Sequence, residues 1–225
     1  MTTASESSGP AAARGSAADI RRAGDSPAVR CLDALGATAG LIALSPLLLG
    51  LGFLVRATSP GPALFRSTRI GRGGRPFTVL KYRSMVQGAP SLGPAITAAE
   101  DSRVTPVGKV LRQLKLDELP QLINVWRGDM SLVGPRPEDP RYVRLYSREQ
   151  IAILEAKPGI TSPASIEYRD ETAQLTGSDW EDHYVHVVMP AKLELDREYL
   201  AHRNAWSDLR VIFSTIASLL NTSDR

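Results

Sequence analysis

The sequence predicts an α+β fold, mostly helical and membrane-associated, in which a domain carrying a β-hairpin follows a kinked re-entrant membrane helix. Three observations point there. The most hydrophobic run, centred on LIALSPLLLG (41–50), is interrupted at its middle by a Ser-Pro pair. ALFRSTRI and RPFTVLKYRSM flank a glycine-rich GRGG (71–74), the pattern of two strands and a tight turn. In VGKVLRQLKLDELPQLINVW, Leu116, Leu119, Ile123 and Trp126 recur at helical spacing.

The chain begins with an Ala-, Ser-, Gly- and Thr-rich segment, residues 1–28, with almost no large apolar side chain. Such a composition buries too little surface to offset its ordering entropy, so a disordered tail is expected. No apolar core lies near its start, so this segment is not expected to be a secretory signal. One cysteine, Cys31, excludes an intrachain disulfide, and three scattered histidines give no zinc spacing. The net charge of +3 suits anionic phosphates or headgroups without demanding nucleic acid.

From Leu32 to Val55 the residues are apolar or small, apart from Asp33. That is about the 20 residues that cross a bilayer as one helix, and a single-span anchor stays open on length alone. Pro46 argues against it, because it removes a backbone hydrogen bond and clashes with the preceding turn. Ser45 is placed to back-bond to a freed carbonyl. Arginines flank both ends, Arg21, Arg22 and Arg30 before and Arg56, Arg66 and Arg69 after. The positive-inside bias puts both flanks on one side, and a re-entrant helix over 29–57 satisfies both observations.

RATSPGPALF (56–65) reads as a turn leaving that helix, and the hairpin follows. Its strands are dense in Arg and Lys, which taken alone reads as a solvated edge that discourages pairing. Residues 91–106 read as an irregular loop. Pro120 is tolerated only in a helix's first turn, so a helix is expected to start near Asp117, with Gly128 as its C-terminal cap. Asp117 and Glu118 then cap the helix and complement its dipole, or hold a phosphate and a divalent cation at its end. Arg136, between Pro135 and Pro137, favours the second reading: a stiff backbone presents a bidentate donor suited to a diphosphate. The last segment, SDLRVIFSTIASLLN (207–221), is amphipathic, and either packs on the domain or lies on a membrane.

These residues carry a family resemblance. LRQLKLDELPQLINVWRGDMSLVGPRPE is similar to the signature of the bacterial sugar transferases, the monotopic polyprenyl-phosphate phosphoglycosyl transferases. KYRSM (81–85), EDSRVTPVGKVLR (100–112), PGIT (158–161) and the LDREYL–SDLRVIF tail extend the likeness to about residues 29–221. It implies transfer of a sugar 1-phosphate from a UDP-sugar to undecaprenyl phosphate, with release of UMP and Mg²⁺ as cofactor. It also implies a cytoplasmic catalytic domain (58–204), a C-terminal amphipathic helix (205–225), and a monotopic place on the cytoplasmic face of the bacterial plasma membrane. By the same resemblance Asp117 is the nucleophile and Glu118 its partner, both near the metal. Lys81, Arg112, Arg136, Asp196 and Tyr199 fall on substrate- or phosphate-binding positions, and Ser45 and Pro46 on the re-entrant break. Expected partners are the donor, the acceptor and membrane lipids; a homodimer is left open. SPASIEYRDE (162–171) departs from the family's usual text after PGIT, so sugar preference does not carry over.

Two rival classes remain. A metal-dependent glycosyltransferase releasing UDP would want an Asp-x-Asp motif, to which DWED (179–182) is a weak match. A basic membrane adaptor leaves Asp117, Glu118 and Arg136 without a purpose. Nucleic-acid binding is less expected still, since the basic runs lack interleaved aromatics that could stack bases.

Overall fold

A computed structural model describes residues 16–93, 101–171 and 179–221 of the chain. The expected tail is not featureless over its described part. Helix α1 (Ala17–Gly24) opens with a capping box between Ser16 and Asp19, and Ile20 is fully buried against Tyr142, Ile153 and Leu200. Average composition concealed this helix, because one isoleucine docks into a core that later segments supply.

The apolar run forms α2 (Pro27–Ala43) and α3 (Ser45–Thr58), bent by 64°. No single helix among the described residues is long and apolar enough to cross a membrane, whereas the bent pair together has the length and composition. The cause of the bend is local. In a continuous helix the Ile42 carbonyl would accept from residue 46, where proline has no N–H. Ser45 Oγ donates to that same carbonyl at 2.8 Å, so the break leaves no orphan there. Asp33, the one charge in the run, is buried and accepts from Ser131 Oγ at 2.9 Å and the Leu132 amide at 2.8 Å. It pins the helix pair to the domain.

Strands β1 (Leu64–Ile70) and β2 (Pro76–Tyr82) pair antiparallel from Leu64↔Tyr82 to Ile70↔Pro76. Gly73 and Gly74 turn the chain at φ of 66° and 71°. The free edge of β2 meets Asn124, which is fully buried. Its side chain accepts from the Leu80 amide at 3.0 Å and donates to the Thr78 carbonyl at 2.7 Å, in place of a third strand.

Helix α4 (Pro106–Gln113) is capped by Thr105 and ends at Leu114. Lys115 then takes a left-handed conformation, φ 55°, rare for a side-chain-bearing residue. A single 3₁₀ turn, Leu116–Glu118, precedes α5 (Gln121–Arg127), which Gly128 terminates at φ 84° as expected. The helix therefore starts at Gln121, not near Asp117, and neither acid caps it: the residue before α5 is Pro120, with no side-chain cap. The reversal at Lys115 and the ring of Pro120 leave room for one turn only. The apolar face expected through Leu116, Leu119, Ile123 and Trp126 is split by the same break. Gln121, Leu122, Asn124 and Val125 face inward, and Trp126 is 62% exposed.

The remainder is small elements around two short parallel strands, β3 (Ser131–Val133) and β4 (Gly159–Thr161). A Cβ on Gly159 would lie 2.1 Å from the Gly134 nitrogen, so the two backbones touch. Helix α6 (Pro140–Val143) lies between them in sequence, and α7 (Pro163–Glu167) follows β4. Then α8 (Trp180–His183) runs through a π turn, Tyr184–Val188, into α9 (Met189–Ala201) and α10 (Ala205–Leu220). Val211 and Asp208 of α10 are buried while Trp206, Phe213, Ile216 and Leu220 are exposed, so the helix packs on one side and leaves an apolar stripe on the other.

Candidate active site

The short turn between α4 and α5 carries Asp117 and Glu118 in opposite circumstances. Glu118 sits between two cations. Lys81, near the end of β2, donates to its Oε1 at 2.9 Å. Arg136 donates through Nη2 to Oε1 at 2.6 Å and through Nη1 to Oε2 at 3.3 Å. Burial works to raise the Glu118 carboxyl, but the charges and hydrogen bonds of Arg136 and Lys81 outweigh it and hold it well below the usual range. Glu118 is ionised at any ordinary pH. Asp117 is only 6% exposed, and among the described residues its carboxylate accepts no hydrogen bond. Burial, together with the neighbouring Glu118 charge, raises it, against the pull of Lys81, Arg112 and Arg136.

Asp117 lines a cavity of about 860 Å³ that runs between the exit of α3, the hairpin and α4. Its walls are cationic: Arg56, Arg66, Arg69, Lys81, Arg83, Arg103, Arg112 and Arg141 all contribute, against two acids, Asp117 and Asp139. The size suits a nucleotide-sized ligand. Arg112 is anchored by its Nε to Ser84 Oγ at 2.9 Å. Gly108 makes this possible, because a Cβ there would lie 1.9 Å from the Ser84 carbonyl, so only glycine lets α4 come so close to the strand end. Arg83 reaches back to the carbonyls of Pro60 and Ser59 at 2.5 and 2.8 Å, tying the exit of α3 to β2.

Of the residues singled out from sequence, the structure brings together Asp117, Glu118, Lys81, Arg112 and Arg136. Arg136 grips Glu118 and does not line the main cavity. Asp196 lies elsewhere, buried under α7, where it accepts from the Ala164 amide at 3.1 Å; burial pushes its carboxyl up to about 7. Tyr199 donates to Asp208 Oδ1 at 2.5 Å, next to the buried Arg203–Asp208 pair, and holds α9 to α10. Neither faces the cavity. Ser45 and Pro46 mark the bend between α2 and α3. The DWED stretch lies outside the cavity as well. In the opposite direction, the basic residues of the hairpin are not simply a solvated edge: Arg66, Arg69 and Arg83 wall the cavity. Asn124 was missed, since a buried Asn in a helix carries no signal in one sequence. In SPASIEYRDE, Arg169 bonds to the Ser218 carbonyl of α10, and its own carbonyl accepts from Lys115 Nζ at 3.3 Å.

The donor set fits a hard cation such as Mg²⁺ in one respect. Such an ion binds through one or two carboxylates plus substrate phosphates and water, and Asp117 offers an uncommitted carboxylate on the cavity wall. Glu118 joins only by sharing oxygens that Lys81 and Arg136 already hold.

A cationic cavity with a buried acid on its wall has the charge that suits a phosphate-bearing ligand. Residues 25–222 match the family described as bacterial sugar transferase, and the chain belongs to that family. It is 39% identical over 203 residues to the UDP-glucose:undecaprenyl-phosphate glucose-1-phosphate transferase of Caulobacter vibrioides, covering 87% of this chain and 70% of that one. It is 37% identical over 194 residues to the UDP-N-acetylgalactosamine-undecaprenyl-phosphate N-acetylgalactosaminephosphotransferase of Aeromonas hydrophila, covering 85% of this chain and 43% of that one. It is 32% identical over 207 residues to the exopolysaccharide production protein ExoY of Rhizobium meliloti, covering 85% of each. The chain thus spans less than half the length of the Aeromonas relative.

Proposed function

We propose that this chain transfers a sugar 1-phosphate from a UDP-sugar to undecaprenyl phosphate at the cytoplasmic face of the bacterial plasma membrane. The observation that carries the reading is the contrast within the acid pair. Glu118 is locked between Lys81 and Arg136, while Asp117 is buried, uncommitted and open to a cavity lined by arginines. An uncommitted carboxylate among cations is equipped to attack phosphorus.

In the first step an Asp117 oxygen attacks the phosphorus that bears the sugar. The phosphoanhydride bond breaks and UMP leaves, with a sugar phosphate on Asp117. In the second step an oxygen of the lipid phosphate attacks that phosphorus, the acyl phosphate bond breaks, and Asp117 is regenerated. Asp117 attacks as its carboxylate, a form that burial and Glu118 resist and the charges of Lys81, Arg112 and Arg136 favour. The lipid phosphate attacks as an anion, so neither step calls for a general base and Glu118 acts through its charge. Arg112 and Lys81 neutralise the transferring group and the leaving UMP. Mg²⁺, held by Asp117 with a share of Glu118, would supply further charge neutralisation at the phosphates. The bent α2–α3 pair, entering and leaving the membrane on one face, keeps the cavity at the height of a lipid headgroup. The donor sugar stays open, since the relatives named above use glucose and N-acetylgalactosamine.

The test is the nucleotide released when purified protein, UDP-sugar, Mg²⁺ and undecaprenyl phosphate are combined. UMP is expected. UDP would replace this reading with an ordinary glycosyl transfer.

A further inference from the structure

The phosphoglycosyl reading requires two anionic ligands to meet at Asp117, and the acceptor is an amphiphile. We infer that the outward stripe of α3, Leu49–Phe53–Arg56, is the track on which that lipid phosphate lies, with Arg56 gripping its phosphate. This rests on the proposed function and adds residues to it.

The stripe is set by helix geometry. Spacings of four and three residues put Leu49, Phe53 and Arg56 on one side of α3. Leu49 and Phe53 are each 76% exposed, so an apolar ribbon runs from near the bend towards the exit of the helix. Arg56 stands at its end, in the last turn, and lines the same cavity as Asp117. Among the described residues Arg56 forms no ion pair or hydrogen bond. The cations nearest the acids already have work there: Lys81 and Arg136 bond to Glu118, and Arg112, tethered to Ser84 through its Nε, serves the transferring group beside Asp117. An apolar ribbon ending in an uncommitted guanidinium complements a long hydrocarbon tail ending in a phosphate. Arg66 of β1, also exposed and uncommitted among the described residues, lines the cavity beside it. The position has a chemical consequence. Arg83 clamps the Ser59 and Pro60 carbonyls just past the last turn of α3, so the acceptor's phosphate is referenced to the strand that carries Lys81.

The experiment uses the full chain in phosphatidylcholine nanodiscs and measures retention of a photoreactive polyprenyl phosphate, with the matching neutral polyprenol and phosphatidylglycerol as comparators. The phosphate form is expected to be held at least tenfold better than the polyprenol, a preference that Arg56→Gln removes and Arg56→Lys partly restores. Phosphatidylglycerol should compete poorly. Equal retention of phosphate and alcohol, an unaltered preference in Arg56→Gln, or full competition by phosphatidylglycerol would each overturn the assignment. Steady-state kinetics give the second readout. Arg56→Gln should raise the KM for lipid about tenfold or more while the KM for UDP-sugar moves less than twofold, and an equal rise in both would mark a merely structural role. If the wild type turns over no UDP-sugar, the reading of the reaction fails, and the retention assay still decides the track.

Discussion

Arg136 and Glu118 form a two-pronged contact at 2.6 and 3.3 Å, and Asp117, one residue before Glu118, is left uncommitted on the cavity wall. The two acids are neighbours in sequence and unlike in chemistry. One is an ionised hub for cations, and the other is a buried carboxyl whose charge is resisted by burial and by its neighbour.

Glu118→Gln tests the hub. Without the charge, Lys81 and Arg136 lose their shared anchor and settle elsewhere, and a misplacement of about 1 Å near reacting atoms lowers rate by about 10²-fold. Transfer activity should fall by roughly that factor, with the protein still folded by circular dichroism. Arg136→Lys should also lose activity, because a lysine cannot make both prongs.

Asn124→Leu tests how β2 is held. The substitution strands the buried Leu80 amide and Thr78 carbonyl, each costing about 1–3 kcal/mol when unpaired. Denaturant titration in detergent should show a loss of roughly 2–6 kcal/mol, while an unaltered midpoint would mean that water or a shifted backbone replaces the amide.

Ser45 and Pro46 test the re-entrant geometry. Cys31 is exposed near the start of α2 and serves as a native probe, and Ala57→Cys supplies a second at the far end. An impermeant maleimide should reach both positions only from the cytoplasmic side. Ser45→Ala with Pro46→Ala restores the amide that the Ile42 carbonyl lacks, straightens the pair, and should move position 57 towards the opposite side.

Asp196→Asn tests the buried acid. Its folded-state carboxyl is pushed up to about 7 by burial, against the hydrogen bonds from the Ala164 amide and Ser162, from an ordinary value of 3.8. Between those two values the native state holds a proton that the unfolded chain has lost, so stability falls as pH rises through that window and the penalty is complete above about 7. By linkage this amounts to at most roughly 4 kcal/mol. Asparagine keeps the bond from the Ala164 amide and carries no charge, so the variant should lose most of the decline between pH 5 and pH 8.

Much of this was legible in the sequence because each signal was local. Pro46 broke the apolar helix where proline must, GRGG turned the hairpin, and Gly128 ended α5. The acid pair was found but misplaced on its helix, because the left-handed Lys115 leaves no mark in composition. Arg136 was read as a donor to a diphosphate, and its grip on Glu118, a partner 18 residues earlier, was not foreseen because no spacing rule connects the two. Ile20 and Asn124 were invisible for the same reason: their partners are distant in sequence, Leu200 for the first and Leu80 for the second. Asp196 and Tyr199 sit on a helix that is otherwise ordinary, and only the fold reveals that they serve α7 and α10.

The most direct test of the central claim is intact mass spectrometry of the detergent-purified chain with Mg²⁺ and a panel of UDP-sugars, in the absence of lipid. A mass increase of one sugar phosphate with matching release of UMP is expected, chased off by undecaprenyl phosphate and absent in Asp117→Asn. An adduct that persists in Asp117→Asn, or lipid-linked product formed by that variant at the wild-type rate, would contradict it.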